Sequence, residues 1–571
     1  MDDRLATLVP QPRTIRTDVG QLALAAPPPV RAGHGGATAV AAAAAVGRVL
    51  AAIPWPAVDA HDGPAGVDVN VDEREQPEHY RLAITPDGVL ITAGGPAGAF
   101  YAAQTLRQLL PDDAWRAAWP SATGSGASWV LPCATITDGP ALSWRGAHID
   151  VARHFFTKRE LLALIDALAA LKLNRLHLHL TDDQGWRVES RRFPALHEIG
   201  SHRPRTQISL NTEQPREYED IPHGGYYTLA DLAEITAHAA DRMMTVVPEI
   251  DLPGHCAALL AALPELAAGP PPPGGWQVSA DWGILPNLIS PLPAARAAVT
   301  EILAEVVGAT AARYVHIGGD ECVLDSWRAN PRIEAYRAER GLATADDLHA
   351  AFLRDIADSL AADFGARALV WDEGFTSAAG RPAGLRADTV VMAWRGMPVA
   401  RAAAEAGHDV VATPVFPTYF DYYQERAARE PVGIGGPVRI EDVARFTPVP
   451  RDWPEAVRSR LLGTQFQVWT EYIPDGRALE YMIFPRACAL AEVAWAGGPV
   501  AWQNDTGDGQ PPLRDRVSAQ LGRLAAAGVE YRPLSGPLPW QEGGAGPRRH
   551  RPGYLIQDVA DHLGELAAGE R

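Results

Sequence analysis

The sequence of 571 residues contains only two lysines, Lys158 and Lys172, among its 51 basic residues. It has no G-x-x-x-x-G-K-[ST] run, which argues against a P-loop nucleotide site, and it offers a Schiff-base enzyme only two candidate nucleophiles. The motifs G-x-S-x-G and H-E-x-x-H, which mark α/β-hydrolase serines and zincin metalloproteases, are also missing. The enzyme classes that remain as candidates use carboxylates for catalysis.

Cysteine is also scarce. Cys133, Cys256, Cys322 and Cys488 are widely separated and form no C-x-x-C pair, so neither a disulfide framework nor a structural zinc site is indicated. Free thiols suggest a reducing compartment. The first residues lack the basic and apolar regions of a secretory signal, and no stretch reaches about 18 uninterrupted apolar residues. We therefore expect a cytoplasmic protein without a membrane segment.

Positive charge is in deficit as well. The chain has 69 acidic and 51 basic residues, a net charge of −18. Nucleic acids and anionic membrane surfaces recruit clustered Lys and Arg, so neither is expected as the main partner. Hydrophobic residues make up 47% and charged residues 21% of the chain, a composition typical of a globular protein with a large core. A small or neutral substrate fits this composition best, and the oligomeric state is left open by it.

Two patterns of predicted elements divide the chain. Before about residue 140, short β-like runs alternate with Ala-rich helices, which is typical of a small α+β domain. After it, eight apolar runs alternate with amphipathic helical segments, and this repetition predicts a (β/α)8 TIM barrel of class α/β. The predicted strands cover residues 146–151, 175–180, 245–250, 314–317, 368–371, 389–394, 409–415 and 464–469. We expect an accessory domain over 1–140, a barrel over 141–500, and a C-terminal helix and Pro/Gly/Arg-rich tail over 501–571.

Carboxylates and aromatic residues recur where the predicted strands end. In barrels of this kind, catalytic groups come from the C-terminal ends of the strands. A lone Asp after a strand is more often a turn or cap residue and a lone Trp more often belongs to the core, but seven of the eight predicted ends carry a carboxylate and the eighth a Trp. Aromatic faces together with carboxylates and an arginine suit a pyranose, which offers C–H faces for stacking and hydroxyls for hydrogen bonds. The pattern predicts carbohydrate chemistry.

Two adjacent carboxylates, Asp320 and Glu321, restrict the glycosidase mechanisms that this chain could use. Glycosidases that use two carboxylates hold them about 5 Å or about 6.5–9.5 Å apart, where they act on opposite sides of the scissile bond. Neighbouring residues have Cα atoms about 3.8 Å apart and side chains that diverge. This pair therefore suits two neighbouring points of one substrate better than the two flanks of one anomeric carbon, and a nucleophile supplied by the substrate has to be considered.

Residues 316–321, HIGGDE, resemble the signature of the family 20 glycoside hydrolases, the β-N-acetylhexosaminidases. Supporting matches occur in the family's order at 145–154, 177–186 (HLHLTDDQGW), 248–255 (PEIDLPGH), 419–421 (YFD) and 469–471 (WTE). The resemblance spans about 145–495, and residues 1–140 look like the family's accessory domain. It implies an exo-acting, retaining hydrolase of terminal β-linked N-acetylglucosamine or N-acetylgalactosamine that uses substrate-assisted catalysis. No cofactor or metal is implied, the partner is a small oligosaccharide or glycoconjugate, and the process is chitin or amino-sugar degradation.

The resemblance also implies roles for eleven residues. Glu321 is similar to the family's general acid/base, Asp320 to the residue that orients and polarises the 2-acetamido group, and Tyr419 to the residue that hydrogen-bonds the acetamido oxygen. The other eight would bind or support the sugar: Trp371 and Trp394 as walls around the acetamido methyl, Trp469 under the sugar face, Arg153, Asp421 and Glu471 as hydroxyl clamps, and Asp182 with His255 as the support that sets the protonation state of Glu321.

Two other functions stay open at this point. His177 and His179, followed by Asp182, have a spacing that suits metal ligands at a strand end, as in a metal-dependent barrel hydrolase. The simpler interpretation of the two histidines is that both are buried and hydrogen-bonded. A non-catalytic amino-sugar-binding protein is the second alternative, since it would keep the pocket and lose the chemistry.

The sequence departs from the family pattern at two places. Residues 430–442, EPVGIGGPVRIED, contain no aromatic residue, whereas some family members place a Trp near here to stack the leaving sugar, so the contacts to the leaving group are not predicted. Cys256 and Cys322 directly follow His255 and Glu321. Partly exposed thiols beside the site are a hypothesis that the structure can address.

Overall fold

The structure is a computed structural model. It describes residues 3–24, 26–55, 65–116, 129–211, 214–376, 384–426, 429–503 and 511–544. The predicted tail from residue 545 onward lies outside the described residues. None of the helices within these ranges is long and apolar enough to span a membrane.

The N-terminal part is a six-stranded mixed sheet with helices Gly36–Ala51 and Pro96–Gln108 packed on it. Its strands are, in chain order, Thr14–Leu24, Val30–Ala32, Gly66–Val71, Tyr80–Thr85, Gly88–Ala93 and Trp129–Asp138, and in space they follow the order first, sixth, fourth, fifth, third, second. The β-like runs predicted in this part are 67–71, 80–84 and 89–92, so the first, second and sixth strands are not among the predicted elements. Thr14–Leu24 is mostly exposed and has no apolar alternation over most of its length, so its pattern does not predict a strand.

Eight parallel strands form the closed barrel. In order around it they are Trp144–Asp150, Arg175–His179, Thr245–Leu252, Tyr314–Gly318, Arg367–Trp371, Val390–Ala393, Val410–Ala412 and Leu461–Val468. Every residue of the first of these strands is buried, as expected for parallel strands that are covered on both faces. All eight predicted strands are found, which confirms the (β/α)8 barrel preceded by a small α+β domain.

Helices cover the outside of the barrel. The longer ones are Lys158–Ala170, Leu229–Asp241, Pro293–Thr310, Pro331–Glu339, Ala345–Phe364, Met397–Glu405, Gly476–Ile483 and Arg486–Ala496, and the shorter ones include Ala257–Ala262, Asp325–Ala329, Ile440–Ala444 and Glu455–Arg458. Thr157, Thr228 and Thr344 begin three of them with capping boxes, because each accepts the N–H of an acidic residue three positions later and that residue bonds back. A further helix, Leu513–Ala526, follows the barrel.

The inside of the barrel becomes polar towards the C-terminal ends of the strands. A cluster of Trp144, Val247, Leu369, Val390, Met392 and Val411 fills part of the interior with apolar groups. The side chains of Glu249, His148, His177, His179 and His316 are also fully buried. This polar layer lies against Trp371 and Trp469, so it forms the support on which the site above it is built.

Candidate active site

A cavity lies at the C-terminal ends of the barrel strands, and all eleven residues singled out from the sequence line it. They are Arg153, Asp182, His255, Asp320, Glu321, Trp371, Trp394, Tyr419, Asp421, Trp469 and Glu471. They come from the ends of all eight strands or from the loops that follow, which is where this fold places its catalytic groups. The structure therefore brings together side chains that are more than 300 residues apart in sequence.

His255 lies between two pairs of carboxylates. Its Nδ1 is 3.2 Å from Asp182 Oδ1 and 3.4 Å from Asp183 Oδ2. Its Nε2 is 3.3 Å from Glu321 Oε2 and 3.9 Å from Asp320 Oδ2. Burial alone would lower the pKa of His255, but these carboxylates, Asp182 first, raise it well above its usual value. The imidazole is therefore a cation next to Glu321 at neutral pH.

Arg153 holds the other side of Asp182. Its guanidinium lies 2.9 Å from Asp182 Oδ2, 3.3 Å from Asp150 Oδ2, and donates to Gln184 Oε1 at 3.0 Å. Burial would raise the pKa of Asp182, but Arg153 and His255 outweigh it and hold that pKa below its usual range. The guanidinium also lies 5.1 Å from the centroid of the Trp469 ring, within the range of a cation–π contact.

The backbone that carries the carboxylate pair has an unusual conformation. Gly318 and Gly319 have φ of 67° and 101°, and Glu321, which is not glycine, has φ of 51°. A Cβ on Gly318 would lie 1.7 Å from Asp251 Oδ1, so no larger residue fits there. The N–H of Glu321 donates to Glu373 Oε2 at 3.1 Å. Strained backbone of this kind is concentrated at functional sites.

Asp320 is a buried acid with one free oxygen. Its Oδ1 has no hydrogen-bond partner among the described residues. Burial raises the pKa of Asp320 to about 7, the charge of Glu321 adds to this rise, and the charge of His255 opposes it. The side chain of Glu321 is more accessible, with 27% of its surface exposed against 12% for Asp320. The accessible group suits proton exchange, and the buried one suits a contact to a bound ligand.

Aromatic rings form the walls of the cavity. Trp371 and Trp469 have ring centroids 5.8 Å apart, and Tyr419 lies 6.4 Å from Trp469. The indole N–H of Trp371 donates to Glu249 Oε1 at 2.9 Å, which fixes the plane of this ring. The indole nitrogen of Trp394 is buried and has no partner within the described ranges. These rings give the pocket apolar faces and at least one unused donor.

Asp421 and Glu471 form a second pair of acids. Asp421 is 5% exposed, and neither of its carboxylate oxygens has a hydrogen-bond partner in the part of the chain that is described. Burial raises the pKa of both acids, and for Asp421 the charge of Glu471 adds to the effect. Buried oxygens without partners are rare in folded proteins, so this end of the cavity is suited to accept hydrogen bonds from a polyhydroxylated ligand.

Four further residues line the cavity and have no predicted role: Asp251, Val415, Tyr422 and Ile434. Asp251 lies two residues after Glu249 in one strand, so the alternation of side chains in strands places both on one face. This spacing of two residues could have identified Asp251 as a cavity residue from the sequence. Ile434 lies in the segment 430–442, where no aromatic residue is present, and nothing in its local sequence marks it as a cavity residue.

The two cysteines beside the site are poor nucleophiles. Cys256 is 2% exposed and its Sγ donates to Asn287 O, while the Sγ of Cys322 donates to Asp320 O. Burial raises the pKa of both thiols well above the usual value, and neighbouring carboxylates add to it. A reactive thiol needs a lowered pKa, so neither thiol is suited to be a nucleophile. Of the two thiols expected to be partly exposed, Cys322 is partly exposed and Cys256 is buried.

The histidines considered as metal ligands are both fully buried. His179 is hydrogen-bonded at both ring nitrogens, 2.7 Å from Glu249 Oε2 and 2.7 Å from Asp182 Oδ2. His177 lies 3.0 Å from Glu249 Oε2 and 3.1 Å from Gln465 Nε2. Three trios of ligand atoms lie within 4.8 Å of one another: His148, His177 and Glu249; His179, Glu249 and Asp251; Asp182, Asp251 and His255. The atoms of His179 that a metal would need are already paired.

Comparisons with known proteins agree with this geometry. The family models "Glycosyl hydrolase family 20, catalytic domain" and "Glycosyl hydrolase family 20, domain 2" match residues 142–498 and 6–139. The chain is 34% identical over 485 residues to a beta-hexosaminidase of Porphyromonas gingivalis and 33% identical over 422 residues to one of Vibrio furnissii, alignments that cover 84% and 72% of this chain. They cover only 57% and 64% of those relatives.

A solved structure is similar over most of the chain. The crystal structure of the GH20 exo beta-N-acetylglucosaminidase from Vibrio harveyi in complex with N-acetylglucosamine has a TM-score of 0.75 and 30% sequence identity. The alignment covers 93% of this chain and 78% of that one. The family's catalytic model matches more than half of the length of this chain, and the chain therefore belongs to glycosyl hydrolase family 20.

Proposed function

We propose that this chain is an exo-acting, retaining β-N-acetylhexosaminidase that removes terminal β-linked N-acetylglucosamine or N-acetylgalactosamine from oligosaccharides or glycoconjugates. The observation that carries the proposal is Asp320 Oδ1, a buried oxygen that lines the cavity without a partner among the described residues. It lies one residue before Glu321, the accessible acid. An acetamido N–H is a donor that would satisfy this oxygen and place the rest of the sugar beside Glu321.

Catalysis would proceed in two steps. Glu321 protonates the glycosidic oxygen while the acetamido oxygen of the substrate attacks the anomeric carbon, so the bonding electrons leave with the departing alcohol and a cyclic oxazolinium ion remains. Asp320 accepts the acetamido N–H and stabilises the positive charge that develops on nitrogen, and Tyr419 donates to the attacking oxygen and aligns it. Water then attacks the anomeric carbon and gives its proton to Glu321, and the two inversions retain the β configuration.

The internal nucleophile explains why an adjacent Asp–Glu pair is sufficient. A nucleophile held at reacting distance in the same molecule can contribute about 7–11 kcal/mol to lowering the barrier. The charges around the pair fit their two roles, since His255 lies 3.3 Å from Glu321 and the buried Asp320 is a strong acceptor once it is ionised.

Binding of a terminal sugar is supported by the remaining side chains. Trp469 offers a face to the apolar side of a pyranose ring and Trp371 a wall to its acetamido methyl, while Arg153, Asp421 and Glu471 line the same cavity and suit hydroxyl groups. Clamps that hold several hydroxyls of one ring favour a non-reducing end over an internal residue.

The proposal is tested by turnover of a chromogenic N-acetyl-β-glucosaminide, with NMR of the first-formed sugar. Hydrolysis that first releases the β anomer supports it. Binding without turnover would identify a sugar-binding protein, and release of the α anomer would exclude the double displacement. A metal-dependent hydrolase is the second candidate function, because the buried trios of His and carboxylate side chains could hold a metal ion. Activity that is lost on exhaustive chelation and restored by a divalent metal would favour that candidate.

A further inference from the structure

One buried carboxylate beneath the cavity is contacted by four side chains. Glu249 is fully buried inside the barrel. Its Oε1 accepts from Trp371 Nε1 at 2.9 Å and lies 2.8 Å from His316 Nδ1. Its Oε2 lies 2.7 Å from His179 Nδ1 and 3.0 Å from His177 Nε2. Trp371 and His179 hydrogen-bond this carboxylate, whereas His316 Nδ1 lies beside it and accepts the N–H of Gly318. All four side chains belong to the layer under the site.

The two oxygens of Glu249 lead to different parts of the cavity. The Oε1 side ends at Trp371, a wall of the cavity. The Oε2 side continues through His179, whose Nε2 is 2.7 Å from Asp182 Oδ2, and Asp182 Oδ1 is 3.2 Å from His255. Successive contacts of 2.7–3.3 Å thus connect the following side chains: Trp371, Glu249, His179, Asp182, His255 and Glu321.

We propose that Glu249 is a positioning residue of the active site. This inference rests on the proposed function. With one oxygen Glu249 orients the indole of Trp371 in the acetamido pocket, and with the other it holds His179, which in turn holds the carboxylate of Asp182 behind the acid/base. One buried group thereby links the shape of the sugar pocket to the electrostatics of Glu321, although it touches neither the substrate nor the acid.

The charges around Glu249 support this role. The groups that face it are His148 from the first barrel strand, His177 and His179 from the second, His316 from the fourth and Trp371 from the fifth, with the buried acids Asp251 and Asp320 nearby. Burial would raise the pKa of Glu249, but the histidines lower it well below its usual value, and Glu249 with Asp182 raises the pKa of His179. Burial lowers the pKa of His177 to about 4. Glu249 is thus an anion and His179 a cation at neutral pH.

A merely structural cluster would not need this arrangement. Buried ion pairs are often replaced by apolar residues without loss of stability, and a buried indole N–H needs only one neutral acceptor. Here the only two described hydrogen-bond partners of the cationic His179 are the carboxylates of Glu249 and Asp182. A cation fixed in this position opposes the rise in the pKa of Asp320, and through Asp182 it keeps His255 aligned.

The experiment compares three variants of the full chain. Trp371→Phe keeps an aromatic wall and removes the N–H donor. His179→Gln removes the cation. Glu249→Gln keeps the size of the side chain but removes the anion that bonds both Trp371 and His179. Glu492→Gln is the matched control, because Glu492 is 3% exposed and ion-paired to Arg516 at 2.8 Å on the helix Arg486–Ala496, outside the cavity. The readouts are the pH profile of kcat/KM and the dissociation constant of a stable cyclic mimic of the oxazolinium ion.

The proposal predicts a separation of effects. Trp371→Phe should weaken binding of the mimic and leave the pH profile in place. His179→Gln should move both limbs of the profile to higher pH, since removal of a cation raises the pKa of nearby acids. Glu249→Gln should weaken binding of the mimic by about 10–100-fold, the size of effect that loss of a supporting partner has in metal sites. It should also move the limbs of the pH profile, but to lower pH, because an anion is removed while Asp182 still bonds the protonated His179.

Several outcomes would overturn the proposal. If folded Glu249→Gln protein has the same pH profile and the same dissociation constant for the mimic as Glu492→Gln, Glu249 contributes only to stability and the proposal is wrong. If Glu249→Gln does not fold, the other two variants decide, and a shifted profile for Trp371→Phe or an unshifted one for His179→Gln contradicts the proposal. The assay of the wild-type protein comes first, because absence of turnover there contradicts the proposed function, whereas normal wild-type turnover with unaffected variants contradicts only the positioning role.

Discussion

His255 Nε2 lies 3.3 Å from Glu321 Oε2, while Nδ1 of the same ring lies 3.2 Å from Asp182 Oδ1. The imidazole thus faces the accessible acid with one nitrogen and a fully paired carboxylate with the other. In the proposed mechanism, a cation in this place would stabilise Glu321 once it has given up its proton to the leaving group. The same contact orients the acid towards the cavity before the reaction starts.

Replacement of this acid should depend on the substrate. Glu321→Gln should keep the fold and substrate binding and lower kcat by about 10²–10⁴, the usual contribution of a positioned acid or base. The loss should be smaller for an aryl glycoside, whose leaving group needs little protonation, than for a natural disaccharide. Steady-state kinetics on both substrates measure this, and equal losses would show that Glu321 is not the acid.

The pH dependence should report Asp320. Burial and, to a smaller extent, the charge of Glu321 raise its pKa to about 7 against the opposing charge of His255, and in the proposed mechanism Asp320 must be ionised to stabilise the acetamido nitrogen. Below that pKa the acid becomes neutral, so kcat/KM should fall as the pH drops through about 7. In Glu321→Gln one neighbouring anion is gone, and the acidic limb for an activated aryl substrate should move to lower pH. A limb that stays in place in the variant would assign it to another group.

Arg153→Ala should act mainly on binding. A guanidinium that contacts sugar hydroxyls acts in the ground state and the transition state alike, so its loss raises KM. A charge-assisted hydrogen bond of roughly 1.5–3 kcal/mol corresponds to about a 10–100-fold rise. Asp182 keeps its contacts to His179 and His255 in the variant, so kcat should change little. A collapse of kcat at unchanged KM would mean that Arg153 serves Asp182 rather than the substrate.

The two lysines of the chain give a matched test of stability. Lys172 is 1% exposed and lies 3.1 Å from the buried Asp138 at the end of the N-terminal sheet, while Lys158 is partly exposed and contacts Asp231 and Glu234. Lys172→Met leaves the buried carboxylate of Asp138 without its cationic partner and should lower the free energy of unfolding by about 3–5 kcal/mol. Lys158→Met should cost far less, because solvent screens an exposed ion pair. Urea unfolding measures both, and similar costs would contradict a structural role for the Lys172–Asp138 pair.

The sequence predicts the barrel and the contents of the cavity because both are signalled locally. Short apolar runs mark the strands, and Asp320, Trp371 and Glu471 follow strand ends that a closed barrel brings together. The roles given to these residues stay predictions until variants are measured.

The layer beneath the cavity is not visible in the same way. Residues 246–252 are buried on both faces of their strand, so burial alone does not say that Glu249 points inward and bonds Trp371. Ile434 reaches the cavity from a loop whose path depends on tertiary packing. Trp129 begins a strand inside a stretch rich in Pro, Ser and Gly, where composition predicts a loop. In each case the deciding contact is far away in the sequence.

The central claim is that the substrate supplies the nucleophile. It is tested most directly by comparing kcat/KM for an N-acetyl-β-glucosaminide and for the β-glucoside with the same leaving group. With the acetamido oxygen as nucleophile, the glucoside loses the proximity effect of about 7–11 kcal/mol and should be hydrolysed several orders of magnitude more slowly. Comparable turnover of the two, or a sugar trapped covalently on an enzyme carboxylate, would contradict the account.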